Sequence, residues 1–149
     1  MTEFDIRQCV NYITLNNTKK LSEVFGKWLD GSGITRIQWI ALFFLKTNGK
    51  LSQRELSQAM EINDSSALRL VDRLERDGFV TRTRSEEDRR VIHLDLTQRG
   101  SDLMDKLLPI GEQFNQVLIQ GIPQEEIEIF LNVQAKMYKN IINDERSQI

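Results

Sequence analysis

The stretch Leu51 to Gly100 reads LSQRELSQAMEINDSSALRLVDRLERDGFVTRTRSEEDRRVIHLDLTQRG. It opens on Ser52-Gln53-Arg54-Glu55, a capping box in which a hydroxyl and a carboxylate satisfy the free amides of a helix start. Leu51 before the cap and Leu56 after it are spaced for a hydrophobic staple, and the helix they predict ends near Met60. Ile62 falls in the following turn. Asn63 is a good cap for a second helix running to about Asp77, and Gly78 suits the position just past its end. On that helix Ala67, Leu70, Val71 and Leu74 form an apolar stripe, while Ser65, Arg69, Asp72 and Arg76 form a polar one. The polar stripe has two readings at this point: a surface that meets a ligand, or an ordinary solvated face.

Two strand candidates follow, Phe79 to Arg84 and Val91 to Leu96. In the second, Ile92, Leu94 and Leu96 alternate with Val91, His93 and Asp95. The loop between them, Ser85-Glu86-Glu87-Asp88-Arg89-Arg90, carries three acids that phosphates repel and two arginines that can enter a narrow minor groove. Pairing of Asp88 with Arg89 or with Arg90 would stiffen the loop and aim the other arginine. Two short helices at a tight turn, then a hairpin, is the order of a winged helix-turn-helix, which places one helix in the major groove and a β-hairpin beside it. Arg69 suits a base or a phosphate, and Arg54, Arg73 and Arg84 suit phosphates.

Outward from this stretch the chain is helical. Ile6, Val10, Ile13, Leu21, Val24, Phe25 and Trp28 predict a helix from about Asp5 to Leu29, ended by Asp30 to Gly33. Thr35 to Gln38 is another capping box, ahead of an apolar helix with Ile37, Ile40, Ala41, Phe43 and Phe44 that closes at Asn48-Gly49. Thr97 caps a fifth helix with Leu103, Leu107, Ile110, Phe114, Val117 and Leu118 on one stripe; Pro109 is expected to kink or split it. Pro123 stands in the first turn of a sixth helix, with Ile127, Phe130, Leu131, Gln134, Met137 and Ile141 on its apolar face. These terminal helices exceed what a small winged helix needs for its own core, and a dimer interface accounts for them. The fold class expected is mainly α with a small β-wing. Residues 1–34 and 101–149 form a helical dimerisation region around a DNA-binding region at 35–100.

Composition sets bounds on this reading. The 149 residues are 40% apolar, enough for a folded core. No apolar run approaches the roughly 20 residues that span a bilayer, and the N-terminus lacks a signal-peptide pattern, so a soluble cytoplasmic protein with no membrane partner is expected. The net charge is −2. Basic and acidic residues number 6 and 4 over 1–49, 10 and 10 over 50–100, and 4 and 8 over 101–149. The central stretch is neutral overall, so any basic face must arise by sorting charges in space. One cysteine, Cys9, and one histidine, His93, exclude an intrachain disulfide and a zinc site of the usual kind. No nucleophile–base pair, phosphate loop or metal-binding motif is present, so neither an enzyme nor a cofactor or metal is expected.

The runs LSQRELS, SSALRLVDRLERDGFVTR, EEDRRV and LTQRG together resemble the MarR family of bacterial winged-helix regulators. The resemblance covers nearly the whole chain, since the flanking helices fall in the family's order. It implies a homodimeric regulator of transcription, expected to be a repressor, in a bacterial or archaeal cytoplasm. The first, fifth and sixth helices would interlock, and the recognition helices would enter successive major grooves of a pseudo-palindromic operator in double-stranded DNA. It carries DNA reading to Asp64, Ser65, Ser66, Leu68 and Arg69, and the wing contact to Arg89 or Arg90 supported by Asp88. Leu68 suits a thymine methyl; Asp64 suits a cytosine amine or the positive helix start. It also implies release by a small aromatic or phenolic effector in a pocket lined by Trp28, Arg36, Ile37, Trp39, Ile40 and Phe43, although such a stripe is more often plain core. Some relatives carry one reactive cysteine near the start of the first helix, held by tyrosines. Here Arg36 and Phe25 stand in those places, and a bystander role for Cys9 is the expectation, with redox sensing the alternative. A protein-interaction module without sequence-specific DNA binding is the competing function.

Overall fold

A computed structural model describes residues 4–148. After a single 3-10 turn at Ile6–Gln8, the elements run α1 (Val10–Trp28), α2 (Arg36–Asn48), β1 (Leu51–Ser52), α3 (Gln53–Ala59), α4 (Asp64–Arg76), β2 (Val80–Arg84), β3 (Ile92–Leu96), α5 (Gln98–Leu118) and α6 (Gln124–Ile142). The protein is mainly helical with a small antiparallel sheet, as the periodicities predict. Two compact units divide it, Met1–Glu112 and Gln113–Ile149, with the boundary inside α5. Among the described residues no helix is long and apolar enough to cross a membrane.

The first unit is built around the helix-turn-helix. Both capping boxes form: Thr35 Oγ1 accepts from the Gln38 amide while Gln38 returns a carbonyl to the Thr35 amide, and Ser52 and Glu55 do the same at α3. Its core joins Ala41, Leu42 and Leu45 of α2, Leu56 of α3, Leu70, Val71 and Leu74 of α4, Val80 and Leu94 of the sheet, and Met104 and Leu107 of α5. Ile62, in the turn, packs against this core.

Several details differ from the sequence reading. Leu51 and Ser52 are not merely the approach to α3. They form a third strand, pairing Leu51 with Leu94 and Ser52 with His93, so the sheet order is β1-β3-β2. The helix expected from Asp5 begins at Val10, because Asp5 caps the separate 3-10 turn instead. Pro109 does not split α5, which runs unbroken from Gln98 to Leu118; the helical stripe continues on both sides of it. Pro123 is the cap residue of α6 rather than a member of its first turn. In α2 the fully buried side is Gln38, Ala41, Leu42 and Leu45, while Ile37, Ile40, Phe43 and Phe44 are half-buried. A helix apolar around most of its circumference does not disclose which stripe faces inward.

The start of α5 is fastened to the end of α4. Gly78, past the last turn of α4, has φ +79°, a conformation natural to glycine. Its carbonyl accepts from Thr97 Oγ1 at 2.6 Å, and the same hydroxyl accepts from the Gly100 amide at 3.0 Å, so Thr97 caps α5 as predicted. The second unit holds the end of α5, α6 and a 3-10 turn at Glu145–Ser147, and α6 has no buried residue.

Candidate nucleic-acid interface

Helix α4 presents the expected face. Ala67, Leu70, Val71 and Leu74 are buried, and Ser65, Ser66, Leu68, Arg69, Asp72, Arg73 and Arg76 are exposed. Asn63 Oδ1 accepts from the Ser66 amide and from the Ser65 hydroxyl, each at 2.8 Å, so the cap fixes the thin first turn. Ser66, Arg69, Asp72 and Arg73 line one open depression on this face. Asp64 is placed differently from a free reader: its Oδ1 lies 2.8 Å from the hydroxyl of buried Ser57, tying α4 back to α3. The same hydroxyl lies 2.9 Å from the Arg54 carbonyl, so one proton is shared between two acceptors.

The most consequential residue was not singled out by the sequence. Arg82, in the middle of β2, is largely buried and reaches back onto α4. Its Nη2 lies 2.7 Å from Asp72 Oδ1, its Nη1 lies 3.3 Å from Glu75 Oε1, and Nη2 also donates to the Leu68 carbonyl at 3.4 Å. Its Nε is buried without a hydrogen-bond partner. The signal was available in the alternation of the strand: residues two apart share a face, so Arg82 follows buried Val80 onto the side that packs on α4. Asp72 and Glu75, three apart, lie on neighbouring turns of the helix where one guanidinium can span them.

The wing resolves the alternative left open above. Asp88 pairs with Arg90, not Arg89: Oδ1 accepts from the Arg90 amide at 3.0 Å and from its Nε at 3.1 Å, and Oδ2 accepts from Nη2 at 3.2 Å. The Arg90 guanidinium, and then its backbone amide, hold the Asp88 carboxyl below the usual carboxylate range. Arg84 Nη1 donates to the Arg89 carbonyl at 3.1 Å, which closes the base of the loop. Among the described residues, no carboxylate pairs with Arg89, Arg69, Arg73 or Arg54. Arg54 lines a cleft with Ser52, Gln53, Asp64, Asp88 and Arg90, bringing the start of α3 and the wing together.

These contacts answer how a neutral stretch can carry a basic face. The sequence of α4 has three acids and three arginines. Asp72 and Glu75 share the charge of Arg82 beneath them, Asp64 accepts from the Ser57 hydroxyl, and Asp88 is paired with Arg90. Among the described residues, Arg69 and Arg73 on the outward face of α4, Arg54 at the start of α3 and Arg89 at the wing tip are left without a carboxylate partner.

The residues of the expected effector pocket lie on α1 and α2. Trp39 stacks on Phe43 with ring centres 5.5 Å apart, meets Phe25 edge-on at 5.2 Å, and donates its indole N–H to the Leu107 carbonyl at 3.1 Å. The ring lies so close to Gly111 that a Cβ there would come within 2.5 Å of it. Arg36, Ile37 and Ile40 are half-buried, and Trp28 is partly exposed. Cys9 is the half-buried cap residue of α1 and its side chain makes no capping bond.

Residues 32–91, which span the helix-turn-helix and most of the wing, match the sequence profile of a family described as the MarR family. The chain is 28% identical over 121 residues to the HTH-type transcriptional repressor MdtR of Bacillus subtilis, covering 81% of this chain and 78% of that one. It is 33% identical over 99 residues to the transcriptional repressor MprA of Escherichia coli, covering 65% of this chain and 56% of MprA. Among solved structures, BpsR of Bordetella bronchiseptica, described with the regulation of its DNA binding by 6-hydroxynicotinic acid, superposes with a TM-score of 0.82 at 21% identity, over 91% of this chain and 96% of that one.

Proposed function

Because this chain belongs to the MarR family of winged-helix transcription regulators, DNA-binding proteins and not enzymes, we propose that it is a homodimeric repressor that reads a pseudo-palindromic operator in a bacterial or archaeal cytoplasm. The observation that carries this reading is the outward face of α4: a capped, thin first turn followed by Leu68, Arg69 and Arg73, with Asp72 and Glu75 paired to Arg82 and Asp64 hydrogen-bonded to Ser57. Leu68 and Arg69 meet base edges in the major groove, Leu68 through a thymine methyl and Arg69 through guanine. Ser65 and Ser66 allow the close approach. Arg73 and Arg54 meet phosphates, and Arg89 enters the adjacent minor groove. Asp88, Arg90 and Arg84 order the wing rather than touch bases, and Asp64 holds α4 in register with α3.

The exposed apolar side chains of α1 and α6 support a homodimer, and the names of MdtR and MprA support repression. Release by a small aromatic acid is supported by the similarity to BpsR; Trp28, Arg36, Ile37, Trp39, Ile40 and Phe43 are its candidate walls, and binding there requires Trp39 to leave its packed position.

Arg69→Ala tests the assignment. Measured against operator variants, it should cost about 1–3 kcal/mol and relax preference at one base position per half-site. An equal loss on every variant would reassign Arg69 to the phosphates.

A further inference from the structure

The role of Arg82 goes beyond holding a strand on a helix. We propose that Arg82 is the residue that makes α4 able to approach DNA: its single positive charge, shared between Asp72 and Glu75, offsets part of the acid charge on the DNA-facing helix without itself reaching the DNA. This inference rests on the DNA-binding reading above.

Four observations converge on it. Asp72 shares its depression with Ser66, Arg69 and Arg73, so an uncompensated charge there would stand among the residues that meet DNA. The side chains of Asp72 and Glu75 are 56% and 44% exposed, whereas that of Arg82 is 20% exposed, so the acids face outward and their counter-charge lies beneath them. Arg82 comes from the strand that leads into the wing, so one side chain joins the two elements that would occupy neighbouring grooves. Finally, the guanidinium also holds the carbonyl of Leu68, the residue immediately before Arg69. Phosphates repel carboxylates as strongly as they attract arginines at equal distance. A helix with three acids and three arginines gains a net positive outward face only if some acids are answered from behind.

Lysine would not serve equally. An ammonium is a point charge, and only the planar fork reaches two carboxylates and a carbonyl together. Arg82 is therefore a positioning residue, acting on DNA through α4.

The test compares the full-length wild type, Arg82→Met, Asp72→Asn/Glu75→Gln, and the triple variant combining them. Each is titrated against the operator selected by the wild type, with the unfolding midpoint measured in parallel. Arg82→Met should lose about tenfold or more in affinity, because two carboxylates are released toward the phosphates. The triple variant should return to within about threefold of wild type. Asp72→Asn/Glu75→Gln, which keeps Arg82, should bind at least as tightly as wild type. If Arg82→Met does not fold, this double variant carries the test, since a purely structural clamp predicts that it weakens binding. The proposal is overturned if the triple variant binds as poorly as Arg82→Met, if Arg82→Met binds like wild type, or if the double variant weakens binding. A wild type that selects no operator contradicts the functional reading itself, before any variant is made.

Discussion

Asp88 gives the residue scale its sharpest prediction. On charge alone, Asp88→Asn should tighten DNA binding, since it removes an acid from the wing. On the geometry it should weaken binding several-fold at neutral pH, because the bidentate hold on Arg90 is lost and the loop no longer aims Arg89. Operator titration decides between the two. The pH dependence has a definite sign. The folded carboxyl titrates below its ordinary value of 3.8, so its contribution is fully present above that pH and fades as pH falls through the lower, folded value. Amide protection over residues 85–91, corrected for the pH dependence of intrinsic exchange, should therefore hold from neutrality down to the ordinary carboxylate value of 3.8 and fall only at lower pH; protection lost well above that value would contradict this. The arginine pair was legible in the sequence as a pair, but which member stays free was not, because both are within reach of Asp88. Arg82 was missed for another reason: strand alternation turns it toward α4 but does not name its partners, which stand 7 and 10 positions back on a different element.

At the scale of elements, the helices were read well because capping boxes and apolar stripes are local. Both boxes, the Asn63 cap and the Gly78 terminus act within four residues of themselves. Strand β1 was missed because two residues show no periodicity, and its pairing with β3 spans more than 40 positions. The join between α4 and α5 is the element-scale feature most exposed to test. A Cβ on Gly100 would lie 2.2 Å from the Phe79 carbonyl oxygen, and backbone cannot swing aside as a flexible side chain can. Gly100→Ala should thus destabilise by about 1–3 kcal/mol in urea unfolding, whereas alanine at exposed Gly31 would strain only a loop. Full stability in Gly100→Ala would show that α5 does not start where Thr97 and Phe79 place it.

At the scale of the whole molecule, the exposed apolar side chains of α1 and of α6 carry the prediction of a dimer. On α1, Val10, Tyr12, Ile13, Leu15 and Leu21 are open to solvent; on α6, Ile129, Phe130, Leu131, Tyr138 and Ile141 are. A second copy of the chain would cover the apolar stripe of α6, which has no buried residue. Sedimentation at micromolar concentration should give a species of twice 17.4 kDa, and the unfolding midpoint should rise with protein concentration. A monomer whose midpoint ignores concentration would remove the dimer from the account. The sequence showed these stripes but not what covers them, since periodicity marks an apolar face and says nothing of its partner. The same scale explains the weak overall charge. Acids outnumber bases 8 to 4 over residues 101–149 and equal them over 50–100, so the net charge of the chain says little about the face of α4 and the wing.

If the outward face of α4 and the wing read DNA as proposed, two copies of the chain recognise one specific sequence. The most direct measurement is selection of bound fragments from a bacterial genome by the purified protein, followed by affinity for the selected fragments at several salt concentrations. Enrichment of a pseudo-palindrome with half-sites about one helical turn apart is expected, bound far more tightly than unrelated DNA at every salt concentration. Binding that shows no sequence enrichment and fades uniformly with salt would contradict it, and would favour a winged helix that docks on protein rather than on an operator.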